Sequence, residues 1–311
     1  MRGKVLIAAP VHEVLTKGLT AAGFELVVAE EITQDAAHEL IKDCVGVITS
    51  TRLQLNKALL DAAPHLQWIG RMGSGMEVID VDYATSKNIL CYGSPEGNCN
   101  AVAEHALGLL LGLTKKIALS NEEVKQGKWL REENRGVELE GKTIGIIGFG
   151  HTGAAFAKKL SGFDMRILAY DKYQQDLSFR GVELCKDLQP IFNEADIISF
   201  HVPLQADTFH YFNADFLKQM HQPFILLNTS RGQVVDTEIL LHGLKEGKIV
   251  GVGLDVLEEE PLNKASKIYQ EKIKEIQACP QVIITPHIAG YSFEALYKMS
   301  KTLLSKIVTT V

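Results

Sequence analysis

GKTIGIIGFGHTGAAFAKKL, residues 141–160, decides how this chain is read. The apolar run TIGIIG leads into Gly148, Gly150 and Gly153, spaced as G-x-G-x-x-G, and a helix of small residues follows. Gly148 allows a tight turn, Gly150 lets backbone approach a pyrophosphate, and Gly153 lets the helix sit close to the strand. The helix start supplies free N–H groups and a positive dipole end for phosphates. The next apolar run ends at Tyr170-Asp171. A carboxylate there accepts hydrogen bonds from both adenosine ribose hydroxyls and repels a 2′-phosphate, which selects NAD over NADP. Lys172, next door, weakens that preference.

Outward from this turn, apolar runs alternate with amphipathic stretches. Runs at 5–9, 24–29, 45–49, 67–71 and 89–92 read as strands, with helices such as 35–42 and 57–63 between them. A long apolar helix is expected over 101–115, and an exposed helix and loop over 121–141. Strands resume at 143–148, 165–170, 197–201, 224–228, 251–254 and 282–285, and a last helix at 293–311. Such alternation predicts an α/β chain of two parallel-sheet domains, Rossmann-like or flavodoxin-like, because parallel strands need crossover connections.

The 311 residues carry a net charge of −6, with 46% hydrophobic and 23% charged residues. That suits a globular chain and argues against nucleic-acid binding, which needs clustered positive charge. Five scattered cysteines form no C-x-x-C pair, so no disulfide framework and no metal site is expected, and a reducing, cytoplasmic setting is. No signal-peptide pattern opens the chain, and no apolar stretch approaches the ~18 residues of a membrane span.

Three later segments lie at the exits of expected strands, where open α/β sheets bind ligands. They are Asn228-Thr229-Ser230-Arg231-Gly232, then Gly253-Leu254-Asp255-Val256 with Glu258, Glu259, Glu260 and Pro261, and finally Thr285-Pro286-His287-Ile288-Ala289-Gly290. Oxidising a secondary alcohol removes a hydride and a proton. Nicotinamide takes the hydride, and a histidine suits the proton. A carboxylate beside it favours imidazolium, and an arginine can clasp a substrate carboxylate through two parallel bonds. Arg231, Glu260 and His287 can fill these roles. By residue type each also has an ordinary reading: a loop cation, a solvated acidic run, a structural histidine.

With these motifs in view the sequence resembles the D-isomer-specific 2-hydroxyacid dehydrogenase family, closest to its phosphoglycerate dehydrogenase branch. The resemblance runs over nearly the whole chain. Its carriers are GKTIGIIGFGHTG, NTSRGQVVDTEIL, GVGLDVLEEEP and TPHIAG, supported by IGRMGSGMEVIDVDYATSKNI, SPEGNCNAVAEHALGLLL and HVPL. It implies Arg231, Glu260 and His287 as the catalytic set, with Glu260 chosen because it directly precedes the proline. NAD contacts are implied at Gly148, Gly150, His151, Thr152, Gly153, Asp171, His201, Val202, Thr229, Ser230, Asp255 and Gly290, Asp255 facing the nicotinamide carboxamide. Ser74 and Gly75 match a loop offering amides to the substrate carboxylate.

The resemblance further implies a substrate domain of residues 1–98 and 288–311, an NAD domain of 99–287, and a cleft between them closing on coenzyme and substrate. It also implies a homodimer, for which the 101–115 helix is suited. A small 2-hydroxy or 2-keto acid would be the partner, with no nucleic acid and no membrane.

Departures bear on specificity. Phosphoglycerate dehydrogenases carry an arginine after the third strand, whereas here Arg52 is displaced within Thr49-Ser50-Thr51-Arg52. QADTFHYF stands where relatives carry T-P-E-T, and a serine-binding regulatory domain is expected to be absent beyond Val311. Arg52, Arg71, Arg131 and Arg135 are candidate phosphate contacts. D-3-phosphoglycerate is the leading expected substrate, hydroxypyruvate, glyoxylate or another 2-keto acid the alternative. Outside enzymology the rivals are an NAD(H)-sensing corepressor-like protein and a purely structural α/β protein.

Overall fold

The computed structural model describes residues 2–174 and 179–310. The chain divides into two compact units, Met1–Ala101 with Gly290–Val311, and Val102–Ala289.

In the first unit the strands are β1 (Lys4–Ile7), β2 (Glu25–Val28), β3 (Cys44–Thr49), β4 (Trp68–Arg71) and β5 (Leu90–Tyr92). They form one parallel sheet in the order β2-β1-β3-β4-β5. Helices α1 (Glu13–Ala21), α2 (Gln34–Leu40), α3 (Lys57–Asp61) and α4 (Val81–Ser86) make the crossovers. Thr33, Asn56 and Asp80 cap the last three by accepting a backbone N–H. Alternate strand residues serve opposite layers, as the pleat requires. Val5, Ile7, Ile48 and Trp68 pack on one face with Leu303 and Ile307, while Leu6, Val47 and Ile69 pack on the other with Leu59 and Leu60.

Helix α5 (Pro95–Thr114) begins earlier than the expected residue 101. Its opening residues read as loop because of Pro95 and Gly97, yet proline is well placed at a helix start. Gly97 admits the backbone of the terminal helix, since an added Cβ would stand 2.5 Å from the Met299 nitrogen. Lys306 Nζ also reaches Glu96 Oε1 at 2.8 Å. These contacts tie the first turns of α5 to the first unit, which runs to Ala101. A break at Lys116, in the left-handed region with φ 51°, separates α5 from α6 (Ile117–Lys125).

The second unit holds β6 (Thr143–Ile147), α7 (His151–Leu160), β7 (Arg166–Tyr170), β8 (Glu183–Leu184), α8 (Gln189–Glu194), β9 (Ile197–Phe200), α9 (Ala214–Gln219), β10 (Phe224–Asn228), α10 (Thr237–Lys245), β11 (Ile249–Leu254), α11 (Lys267–Gln277) and β12 (Val282–Ile284). Its parallel sheet runs β12-β11-β10-β9-β6-β7-β8, the doubly wound order that reverses between β6 and β9. The two-residue β8 was not expected; Glu183-Leu184 is too short for a hydrophobic period to register. The terminal helix, α12 (Phe293–Thr310), belongs to the first unit, and the expected last residue, Val311, lies outside the described residues. Among the described residues no helix is long and apolar enough to cross a membrane.

At the point of reversal, His201 follows β9. Its backbone N–H donates to the Ile147 carbonyl at 2.7 Å, and its Nε2 lies 2.8 Å from Ser199 Oγ. Nδ1 is buried without a hydrogen-bond partner. Burial pushes the imidazole down from 6.5 to about 3, so it stays neutral in the folded protein. The unfolded chain takes up a proton below about 6.5, binds more protons than the native state in that window, and gains on it as pH falls. This group should therefore cost up to about 1.4 kcal/mol of stability per pH unit between 6.5 and 3. Urea unfolding at pH 7 and pH 5 should show a smaller acid loss for His201→Gln than for the wild type. Equal losses would mean that the ring is not held neutral.

Candidate active site

The phosphate turn is built by close approach. Gly148 has φ 91°, a left-handed value that suits glycine, and an added Cβ would lie 2.5 Å from the His201 carbonyl oxygen. At Gly153 a Cβ would fall 2.1 Å from the Gly148 oxygen, so α7 packs directly on the turn. Around Gly150, by contrast, nothing lies within 4 Å of where a Cβ would stand. The turn is thus shut on the protein side and open where a pyrophosphate would approach the first N–H groups of α7.

Asp171 holds the same turn from β7. Its Oδ2 accepts from Phe149 N at 2.7 Å, and Oδ1 accepts from Tyr173 N at 2.8 Å and Gln174 N at 3.1 Å. A carboxylate offers about four acceptor positions, so capacity remains for a ribose hydroxyl. Lys172 is drawn to Asp207, Nζ to Oδ2 2.5 Å, and its ammonium is held above its usual pKa by that hydrogen bond. Asp207 comes from the QADTF stretch that departs from the family pattern.

The ends of β10, β11 and β12 carry the second constellation. Asn228, fully buried, organises the loop after β10. Its Oδ1 accepts from Ser230 N at 3.0 Å and Ser230 Oγ at 2.7 Å, and its Nδ2 donates to the Arg231 carbonyl at 2.8 Å. Gly232 lets this loop lie on the next one, because a Cβ there would meet the Leu257 oxygen at 1.9 Å. Asn228 and Gly232 were quoted with the segment around Arg231 but given no role of their own, though the glycine in S-R-G was the available signal.

Asp255, only 1% exposed, follows β11. Its Oδ1 accepts from Thr285 Oγ1 at 2.6 Å and Ile288 N at 2.9 Å, and its Oδ2 accepts from Ala289 N at 2.7 Å. Its own carbonyl accepts from His287 N at 2.8 Å. The carboxylate is met by three donors of residues 285–289, which leaves acceptor capacity for a further group. Those bonds hold His287 at φ 56°, a left-handed conformation that costs a non-glycine residue about 1–3 kcal/mol unless its surroundings impose it.

The three consecutive glutamates part company in space. Glu258 accepts from Thr237 N at 2.7 Å and pairs with His210 Nε2 at 2.7 Å. Glu259 accepts from Ser266 N at 2.6 Å. Glu260 meets the histidine: Oε2 lies 2.7 Å from His287 Nδ1, while Oε1 accepts from Leu257 N at 2.6 Å. Burial raises the Glu260 pKa, but the hydrogen bonds from His287 and Leu257 and the charges of His287 and Arg231 outweigh it, leaving the group below the ordinary carboxylate value. The acid therefore stays ionised at neutral pH and is neutralised only as pH falls through that depressed value. Arg231 acts on the same carboxylate and donates from Nη1 to the Ser230 carbonyl at 2.6 Å.

Of the remaining expected contacts, His151 is exposed at the start of α7, and Thr152, Val202 and Ser230 are half-buried. Thr229 is buried, and its Oγ1 has no hydrogen-bond partner. His201 turns its ring inward and presents its carbonyl to Gly148. Ser74, Gly75, Arg52 and Gly290 belong to the first unit, as does Arg71. Arg71 is buried and donates to the Met72 carbonyl at 3.0 Å; Arg131 and Arg135 are exposed, Arg135 pairing with Glu132.

Residues 107–289 match the family model described as D-isomer specific 2-hydroxyacid dehydrogenase, NAD binding domain. The chain belongs to the D-isomer specific 2-hydroxyacid dehydrogenase family. It is 34% identical over 99% of its length to a D-3-phosphoglycerate dehydrogenase of Methanocaldococcus jannaschii, of which it spans 57%. It is 35% identical over 92% of its length to a glyoxylate reductase of Pyrococcus furiosus, of which it spans 85%. The crystal structure of D-lactate dehydrogenase from Aquifex aeolicus, complexed with NAD and lactic acid, matches with a TM-score of 0.83 at 28% identity, covering 98% of this chain and 94% of that one.

The residues present fit NAD. The turn is open at Gly150, Asp171 after β7 keeps acceptor capacity beside that turn, and the orphaned Thr229 hydroxyl stands at the exit of β10. Titration followed by nucleotide fluorescence should give NADH a Kd at least ~10-fold below that of NADPH, a gap of about 1.4 kcal/mol. Asp171→Ser should narrow the gap. Equal binding of both nucleotides by the wild type would contradict the role of this carboxylate.

Proposed function

We propose that the chain is an NAD-dependent D-2-hydroxyacid dehydrogenase, interconverting a small 2-keto acid and its D-2-hydroxy acid. The observation that carries this reading is the His287–Glu260 pair at 2.7 Å, with Arg231 acting on the same carboxylate. NAD, when bound, supplies the acceptor or donor of the hydride. The chain's own residues do the rest. Arg231 holds the substrate carboxylate, a role for which a planar, permanently charged fork is suited. His287 takes the hydroxyl proton on Nε2, the nitrogen turned from Glu260, and returns it to the carbonyl oxygen in reduction. Glu260 orients the ring and balances the imidazolium.

Within the class we favour an unphosphorylated keto acid, glyoxylate or hydroxypyruvate. This reading is supported by Arg52, displaced from the place of the arginine after the third strand, and by Arg71, buried and donating to the Met72 carbonyl. The 34% identity to a phosphoglycerate dehydrogenase supports the second reading, D-3-phosphoglycerate.

NADH consumption by the purified protein, measured against glyoxylate, hydroxypyruvate, pyruvate and phosphohydroxypyruvate, tests both. Turnover of the first two above the last is expected, and the reverse order selects the second reading. His287→Ala should lower kcat by ~10²–10⁴ while NADH still binds. Tight NADH binding with no turnover of any keto acid would overturn the enzyme reading in favour of a sensor.

A further inference from the structure

The apolar helix α5 carries one imidazole, His105, that the reaction does not use directly. Its Nε2 lies 2.9 Å from Thr285 Oγ1 and 3.5 Å from Asp255 Oδ1, and its side chain is 21% exposed. A threonine hydroxyl has one proton to give. That proton goes to Asp255 Oδ1, at 2.6 Å, in preference to the Leu254 carbonyl at 3.4 Å. Oγ1 is then an acceptor toward His105, so Nε2 must carry the hydrogen. The donors run in one direction: His105 imidazole to Thr285 hydroxyl to Asp255 carboxylate.

Asp255 is the group that gathers the amides of Ile288 and Ala289 and, through its own carbonyl, that of His287. A hydroxyl fixed from outside leaves Oδ1 one settled orientation. A hydroxyl free to rotate can turn to Leu254 and release it. We infer that His105 is a positioning residue for the acid/base histidine, acting through Thr285 and Asp255 to hold the 285–289 loop. This inference rests on the dehydrogenase reading for its kinetic test, and on the geometry alone for its spectroscopic one.

The test is a cycle of His105→Leu, Thr285→Val and the double variant, with His105→Gln and Thr285→Ser as conservative partners that keep an N–H donor and a hydroxyl. Each disruptive single variant should lower kcat for the preferred keto acid by ~10-fold, with KM and the NADH Kd little changed. The double variant should be no worse than either single, and the conservative variants should recover most of kcat. Multiplicative losses in the double variant, or a His105→Gln as impaired as His105→Leu, would overturn the inference. The His287 ring signals in ¹⁵N-histidine spectra give a readout independent of turnover. They should shift in Thr285→Val and His105→Leu and return in the conservative pair; unchanged signals would overturn the inference even if no keto acid is turned over. Absence of wild-type turnover with the expected shifts would fault the dehydrogenase reading alone. Should His105→Leu fail to fold, Thr285→Val interrupts the same chain at its middle.

Discussion

A buried carboxylate, Asp255, is the constraint on which the second unit's chemistry depends. A polar side chain with 1% exposure is costly unless its lone pairs are met by donors, and here three are supplied by Thr285, Ile288 and Ala289. The protein gains a loop with one conformation, including a left-handed His287 that an isolated chain would avoid. The imidazole is therefore aimed by its backbone first and by Glu260 second. Asn228 repeats the device one strand away, wrapping the loop that carries Arg231 around a buried amide.

The sheet makes these devices neighbours. Parallel strands in register deliver Asn228, Leu254 and Ile284 side by side, so the residues just beyond β10, β11 and β12 share one edge. Gly232 removes the last obstacle between two of the loops. Further along the same edge, the reversal between β6 and β9 sets the His201 carbonyl against Gly148 and leaves the open turn at the start of α7. The open glycine turn and the Arg231–Glu260–His287 group thus arise from one strand order.

Much of this was legible in the residues. The spacing of Gly148, Gly150 and Gly153 stated which side of the turn must be tight and which open, because glycine's lack of a Cβ has a local meaning. The strand runs were readable since buried parallel strands are continuously apolar. Glu260 was not separable from Glu258 and Glu259 by type; only the family resemblance chose it, as each acid's partner comes from a distant element. The loop-holding bonds of Asp255 were not legible, because sequence does not reveal that a loop thirty-odd residues later folds back onto it. Gly97 and Pro95 hid the start of α5 for the same reason: the helix they interrupt locally is completed by packing against α12.

Amide hydrogen exchange at Ile288 and Ala289 tests the central claim most directly. If the Asp255 carboxylate holds the loop, both amides exchange slowly in the wild type, and Asp255→Asn releases them while the amides of β10 and β11 stay protected. Rapid exchange at both positions in the wild type would show that the carboxylate does not order the loop that carries His287.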